Sequence, residues 1–353
     1  MEIRGNKLKI DSSGGEEQRF KFDPSKEISD FNYEKFHSAC AEIFQSDEIE
    51  QEESKLREIF DLFDSNKDGV LTGRERKIFA SWLKLKPVNA LLIVDVQNDF
   101  IDGSLALRRC DGNQDGADVV KPINRLIKNA CFDKIIYSQD WHLENHISFY
   151  ENLHLRELHA DSKVTKENAK PFDTVIFADP CVEQILWPKH CVMDTWGAEL
   201  HKDLIIAPET LILSSFLISQ VRKGQNSEVE SYSVFFDQNF QGSMELQSIL
   251  RKSGVNCVYV CGLAYDVCVK ATCLDGLRLG HAIAVIDDCC RGVDNKNSEI
   301  AKQLIAENGG LITDSDNVLS IVNGKKRNII MSHQLARSMT LTAFSGTSTD
   351  SSE

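Results

Sequence analysis

The chain has 353 residues, 42% hydrophobic and 27% charged, proportions of an ordinary globular protein and long enough for two domains. A formal net charge of −14 repels phosphate backbones and anionic lipid, which argues against nucleic acid and membrane surfaces as partners. No apolar run approaches the roughly 20 residues of a membrane-spanning helix, and the first residues lack a signal-peptide core, so a cytoplasmic location is expected, with nuclear entry left open.

Residues 1–19 are polar and glycine-bearing and read as a flexible arm. Residues 20–86 read as a small helical unit, with Phe36, Ala39, Cys40 and Ile43, then Leu56, Ile59, Phe60 and Phe63, at helical spacing. An acidic loop, DSNKDGVLTGRE, interrupts it at residues 64–75. Asp64, Asn66 and Asp68 occupy its first, third and fifth positions and Glu75 its twelfth, the spacing at which alternate residues turn oxygens toward a calcium ion. Gly69 permits the sharp turn, Val70 offers a carbonyl and Leu71 packs beneath. An acidic turn between helices is the plainer alternative. The pattern resembles an EF-hand, and the upstream segment 22–36 reads as a degenerate partner without calcium.

At Pro87 the pattern changes, and residues 87–325 read as a second domain. VNALLIVDV is a run suited to a strand buried on both faces. Helical spacing in ADVVKPINRLIKNA, SMELQSILRKSG, DVCVKATCLDGLRLG and NSEIAKQLIAENGG alternates with strand runs DKIIYSQD, LILSSFLI, SVFFD, VNCVYVCGLA and HAIAVIDD. This predicts an α/β fold, a three-layer α-β-α sandwich with a mostly parallel sheet whose reactive groups gather at the carboxyl ends of the strands. The Ser/Thr-rich end predicts a disordered tail over 326–353. Eleven cysteines, an odd number set mostly in apolar runs, read as reduced thiols.

Several residues at predicted strand ends carry chemistry. Asp95 follows four apolar residues and could accept a proton, or merely cap a turn. Cys268 lies three residues into a helix, where the N-terminus favours a thiolate and backbone N–H groups can hold an oxyanion, or it is one more buried cysteine. Asp140, His142 and His146, with His190 downstream, offer donors suited to zinc, iron or manganese, or to a surface hydrogen bond.

In order, LLIVDVQNDFIDGSL, SQDWHLENHISF, WPKHC, RKG and CGLAYDVCV resemble the motif series of nicotinamidases within the isochorismatase-like cysteine hydrolases, and the EF-hand fusion is similar to invertebrate members. The resemblance implies a triad of Asp95, Lys223 and Cys268, metal ligands Asp140, His142 and His190, and His146 as a ligand only in some members. Without it, Lys223 reads as part of a solvated loop. It also implies a cis peptide at Leu263–Ala264, an oxyanion site at the N–H groups of Ala264 and Cys268, and ring contacts from Phe100 and Trp187. The implied activity is hydrolysis of nicotinamide to nicotinate and ammonia, with one catalytic divalent metal, zinc first, and calcium at the EF-hand. A related small-amide hydrolase, or a calcium-responsive binding module with an inactive hydrolase domain, is the alternative, and a homo-oligomer is left open. Residues 150–185 and 224–233 depart from the family as a long insertion and a lengthened loop.

Overall fold

In a computed structural model describing residues 30–206, 218–240, 245–324 and 327–344, the apolar run after Pro87 forms β3 (Asn89–Val94), with Ala90 to Val94 fully buried. The arm 1–19 and most of the LILSSFLI run lie outside the described residues. β3 is central because only a strand covered on both faces can be apolar at every position. Around it stand β4 (Lys134–Asp140), β7 (Ile218–Lys223), β8 (Cys257–Leu263), β9 (Ala282–Arg291) and β10 (Leu311–Thr313). They form a six-stranded parallel sheet in the order β10-β9-β8-β3-β4-β7. A short helix, α5 (Asn98–Ile101), follows β3; α6 (Val120–Asn129), α7 (Glu245–Lys252), α8 (Lys270–Arg278) and α9 (Asn295–Glu307) lie in four of the five connections between the strands, and α10 (Ser315–Asn323) follows β10, so the expected α/β architecture is present.

Two strand expectations need correction. SVFFD forms no strand, because residues 231–240 run irregularly past the sheet edge, and Lys223 is the last residue of β7 rather than part of a loop. Part of the insertion folds as an antiparallel hairpin, β5 (Thr174–Ala178) with β6 (Cys181–Ile185), over a core containing Val175, Phe177 and Leu186. The chain leaves the sheet near His142 and is stitched back beside it by bridges of Phe149 with Trp187 and of His142 with Val192.

The N-terminal unit contains α1 (Tyr33–Cys40), α2 (Ser46–Gln51), α3 (Glu53–Phe63) and α4 (Gly73–Lys84), packed around Phe31, Phe36, Phe63, Phe79 and Trp82. A short antiparallel pair, β1 (Phe31–Asn32) with β2 (Val70–Leu71), ties the upstream segment to the acidic loop.

The expected tail is in large part helix. α11 (Ile329–Phe344) packs against α3, α4 and β9, burying Ile329, Met331, Leu335 and Ala336. Its hydroxyls do not oppose burial, since Thr340 Oγ1 donates to Ala336 O at 3.0 Å. Trp82 Nε1 donates to Ser332 O at 3.0 Å, and the Gln334 amide bonds both the N–H and the carbonyl of Ile283. α11 therefore joins the helical unit to the sheet. All eleven cysteines are free thiols, and no helix among the described residues is long and apolar enough to cross a membrane.

Candidate active site

Four neighbouring strands each bring one reactive group to the same edge of the sheet. Asp95 follows β3, Asp140 ends β4, Lys223 ends β7, and Cys268 lies in the turn between β8 and α8. From β3 the chain builds toward β7 on one side and from β8 toward β10 on the other. A crevice opens where the order reverses, between β3 and β8. Asp95 turns into it with a left-handed backbone, φ 48°, a conformation an aspartate tolerates at some cost.

Lys223 Nζ is the hub, at 2.5 Å from Asp140 Oδ1, 3.1 Å from Asp95 Oδ2 and 3.3 Å from Cys268 Sγ. It also donates to Ser231 O at 2.9 Å. Burial would strip its proton, but Asp140, Asp95 and Cys268 overcome that and hold its pKa well above the usual lysine value. Asp95 is fully buried, and Ser138 Oγ donates to its Oδ1 at 2.7 Å. Its Oδ2 meets the ammonium as an ion pair without hydrogen-bond geometry and has no other partner. Burial raises the Asp95 pKa against the pull of Lys223, with Asp140 adding to the rise, so the carboxylate is a better base than an exposed aspartate.

At Cys268 the expected pull toward a thiolate is opposed by burial. Burial pushes the thiol pKa well above its ordinary value, Lys223 opposes this, and the carboxylates of Asp140 and Asp95 reinforce it. The Cys268 backbone belongs to a five-residue turn, Tyr265–Val269, entered through the cis peptide Leu263–Ala264.

Asp140, His142 and His190 place ligand atoms within 4.8 Å of one another, all buried. His142 Nδ1 lies 3.0 Å from Gly224 O and His190 Nδ1 2.7 Å from Pro188 O. A carbonyl only accepts, so both rings carry hydrogen on Nδ1 and turn the Nε2 lone pair inward. Those Nε2 atoms face Asp140 Oδ2 at 3.6 and 3.8 Å, and His142 Nε2 has no hydrogen-bond partner. Three acceptors converging without a donor fit a cation. Burial would raise the Asp140 pKa, but the Lys223 ammonium outweighs it and holds the carboxyl well below the usual range. His146 Nδ1 instead meets Ser148 Oγ at 2.8 Å and Ser148 N–H at 3.3 Å, and its Nε2 is likewise buried without a hydrogen-bond partner. Burial, with His142 beside it, pushes its pKa down to about 3.

A pocket above these groups is lined by Phe100, Trp187, Asp140, His190, Ala264 and Cys268 among others, so the predicted site residues of the α/β domain converge. It also contains Glu230 and Tyr232, which sequence reasoning missed because the lengthened loop has no periodicity to place them. Glu230 is 2% exposed and forms a second close cluster with His142 and His146.

The calcium-loop residues lie elsewhere, between α3 and α4. Gly69 takes φ 82°, Asp64 Oδ2 accepts from Gly69 N–H at 3.0 Å, and Glu75 Oε2 accepts from Thr72 N–H at 3.1 Å. Asn66 Nδ2 donates to Asp68 Oδ2 at 2.8 Å, and Val70 N–H donates to Asp68 Oδ1. Among the described residues, the three close clusters of His, Cys and acidic side chains all lie in the α/β unit, and none includes this loop.

The sequence profile of the isochorismatase domain matches residues 89–317. The nicotinamidase of Acinetobacter baylyi is 37% identical over 242 residues, covering 67% of this chain and 98% of that one. A solved structure described as an Acinetobacter baumanii nicotinamidase and pyrazinamidase is 34% identical, with a TM-score of 0.54 over 66% of this chain and 99% of its own. The yeast nicotinamidase bound to the inhibitor nicotinaldehyde is 29% identical, with a TM-score of 0.51 over 64% of this chain and 99% of its own. By the extent of these matches the chain belongs to the isochorismatase family, in its nicotinamidase branch.

Proposed function

We propose that the protein hydrolyses nicotinamide to nicotinate and ammonia through a thioester on Cys268. The observation that carries this reading is Lys223 Nζ standing 3.1 Å from Asp95 and 3.3 Å from the sulfur of Cys268, which lines a pocket with Phe100 and Trp187. The nicotinaldehyde bound by the yeast relative supports a pyridine ring with a one-carbon carbonyl substituent as the ligand class.

Asp95 Oδ2 takes the proton of the Cys268 thiol, and the sulfur adds to the carboxamide carbon. Lys223 keeps its charge throughout and lowers the energy of each anion as it forms. The N–H groups of Ala264 and Cys268 hold the tetrahedral oxygen. Asp95 then returns its proton to the amide nitrogen, the C–N bond breaks and ammonia leaves. A water that loses its proton to Asp95 attacks the thioester, releasing the acid and restoring the thiol.

Asp140, His142 and His190 would hold one divalent ion, zinc by this mixed donor set, with iron and manganese also compatible. When bound it would supply Lewis-acid anchorage for the ring nitrogen. The loop 64–75 is a calcium site by its ligand spacing and the left-handed Gly69.

The test is ammonia release from nicotinamide by the full-length protein and by Cys268→Ala, with and without chelator. Activity that vanishes in the variant is expected, and full activity there would overturn the nucleophile. A silent wild-type protein that still binds calcium would favour the binding-module alternative.

A further inference from the structure

The inserted segment and the lengthened loop meet at one hydroxyl. Tyr232, from the loop, lines the pocket with Glu230, Trp187 and Cys268 and keeps part of its surface accessible. Its oxygen receives Gln184 Nε2 at 3.2 Å and Trp187 Nε1 at 3.1 Å. An indole nitrogen can only donate. The direction of the Gln184 bond follows from its second contact. Gln184 lies on β6, is 1% exposed, and its Nε2 also donates to Ile185 O at 2.8 Å. Exchanging the ends of the amide would press its oxygen against that carbonyl, so the carbonyl keeps the nitrogen turned toward Tyr232. The amide oxygen is buried without a partner and does not receive the hydroxyl hydrogen.

Both acceptor positions of the Tyr232 oxygen are therefore filled by groups that can only donate. A phenol keeps its hydrogen at neutral pH, and this one makes no donated bond to any described residue. The accessible direction is the pocket. Trp187 is held by the same contact, with its ring edge-on to Tyr232 at 6.4 Å and to Phe172 at 5.8 Å.

We propose that Gln184 and Tyr232 are a specificity-determining pair: Gln184 fixes the phenol as a donor, and Tyr232 gives its hydrogen to an acceptor atom of a planar ring amide. Tyr232 touches the substrate, and Gln184 acts through it as a positioning residue. The inference rests on the amidase reading and adds a substrate-facing contact that the inserted hairpin positions.

The experiment compares wild type, Tyr232→Phe, Gln184→Glu and the double variant, each full length and checked for an unchanged melting temperature. Tyr232→Phe removes the donor and should raise KM for nicotinamide roughly three- to tenfold, the effect of one neutral hydrogen bond, with kcat within about twofold. Gln184→Glu keeps the shape but puts an acceptor against the phenol, which draws the hydrogen out of the pocket. It should raise KM by a similar factor and add little in the Tyr232→Phe background. A filler role for Gln184 would leave the two effects independent. An unchanged KM in Tyr232→Phe, or a Gln184→Glu cost undiminished in the double variant, overturns the proposal. If wild type releases no ammonia, the amidase reading falls separately, and the series is read by calorimetric affinity for nicotinate. Equal affinities across it, or no binding by wild type, overturn the pair as well.

Discussion

Asp140 and Lys223 are register partners on adjacent parallel strands, and their side chains meet at 2.5 Å. Because Asp140 is also one of three converging metal-type donors, the contact links the cation-binding half of the site to the half holding the sulfur. One buried ammonium thus pairs with two carboxylates, each of which has a different task.

Removing that ammonium should cost both stability and chemistry. Lys223→Met leaves Asp95 and Asp140 buried with no lysine between them, and loss of one partner from a buried ion pair costs about 3–5 kcal/mol. Denaturant titration should show a fall of that order, and ammonia release should be undetectable. A variant as stable as wild type would sink the view that Lys223 holds the two acids together.

Asp95→Asn separates base from scaffold. The amide is nearly isosteric and can still accept from Ser138 Oγ, so the fold should persist. It cannot take the thiol proton, and loss of a positioned general base costs about 10²- to 10⁴-fold in rate. Circular dichroism together with kcat checks this. Retained turnover would mean that some other group deprotonates Cys268.

The two halves of the site were unequally legible. Asp95, Asp140 and Cys268 could be singled out because each lies beyond an apolar run that can only be a buried strand. Lys223 was hidden by composition. Its strand, ISQVRK, is the last in the described sheet order and turns only alternate residues inward, so it reads as polar loop until the sheet is assembled. Composition misled again at α11, where Ser and Thr suggested disorder although the Thr340 and Thr342 hydroxyls donate to carbonyls within the helix. Gln184 and Tyr232 are 48 residues apart in unrelated segments, and no local pattern signals their meeting.

Gly224 has no room for a side chain. It takes φ 72°, and a Cβ there would lie 2.4 Å from His142 Cε1, while its carbonyl accepts the Nδ1 hydrogen of the same ring. Gly224→Ala should therefore tilt His142 and weaken metal binding about 10- to 100-fold, as loss of a ligand's orienting contact does. Elemental analysis after dialysis against a weak chelator should show depleted metal while the fold, followed by circular dichroism, is unchanged. Full metal retention would show that the ring is not held from this side.

Arg327 ties α4 to the segment leading into α11. Its guanidinium donates to the carbonyls of Trp82 and Leu83 at 2.9 Å each and to Leu85 O, and its N–H donates to Ile43 O. The Trp82, Leu83 and Leu85 carbonyls lie at the C-terminal end of α4, where backbone acceptors outnumber the donors of the helix itself. Arg327→Met should lower stability by about 2–4 kcal/mol through several unsatisfied groups. Hydrogen exchange should localise the loss to α4 and α11 and spare β3 and β8. Uniform loss across the sheet would contradict the assignment of Arg327 as a local clasp.

The docking of α11 should also be acid-sensitive through His333, which sits 3.3 Å from Glu58 across the contact with α3. Burial lowers its pKa below the ordinary 6.5, Lys55 and Arg337 add to that, and Glu58 opposes it without prevailing. The unfolded chain then binds the proton more readily than the folded one. The stability this group contributes is complete above the unfolded value and is lost as pH falls from there through the folded pKa. His333→Gln cannot titrate, so the difference in unfolding free energy between wild type and variant should shift against wild type as pH is lowered below about 6.5. A difference that stays flat between neutral and mildly acidic pH would assign the acid response to other groups and leave α11 held by its apolar face and its backbone contacts alone.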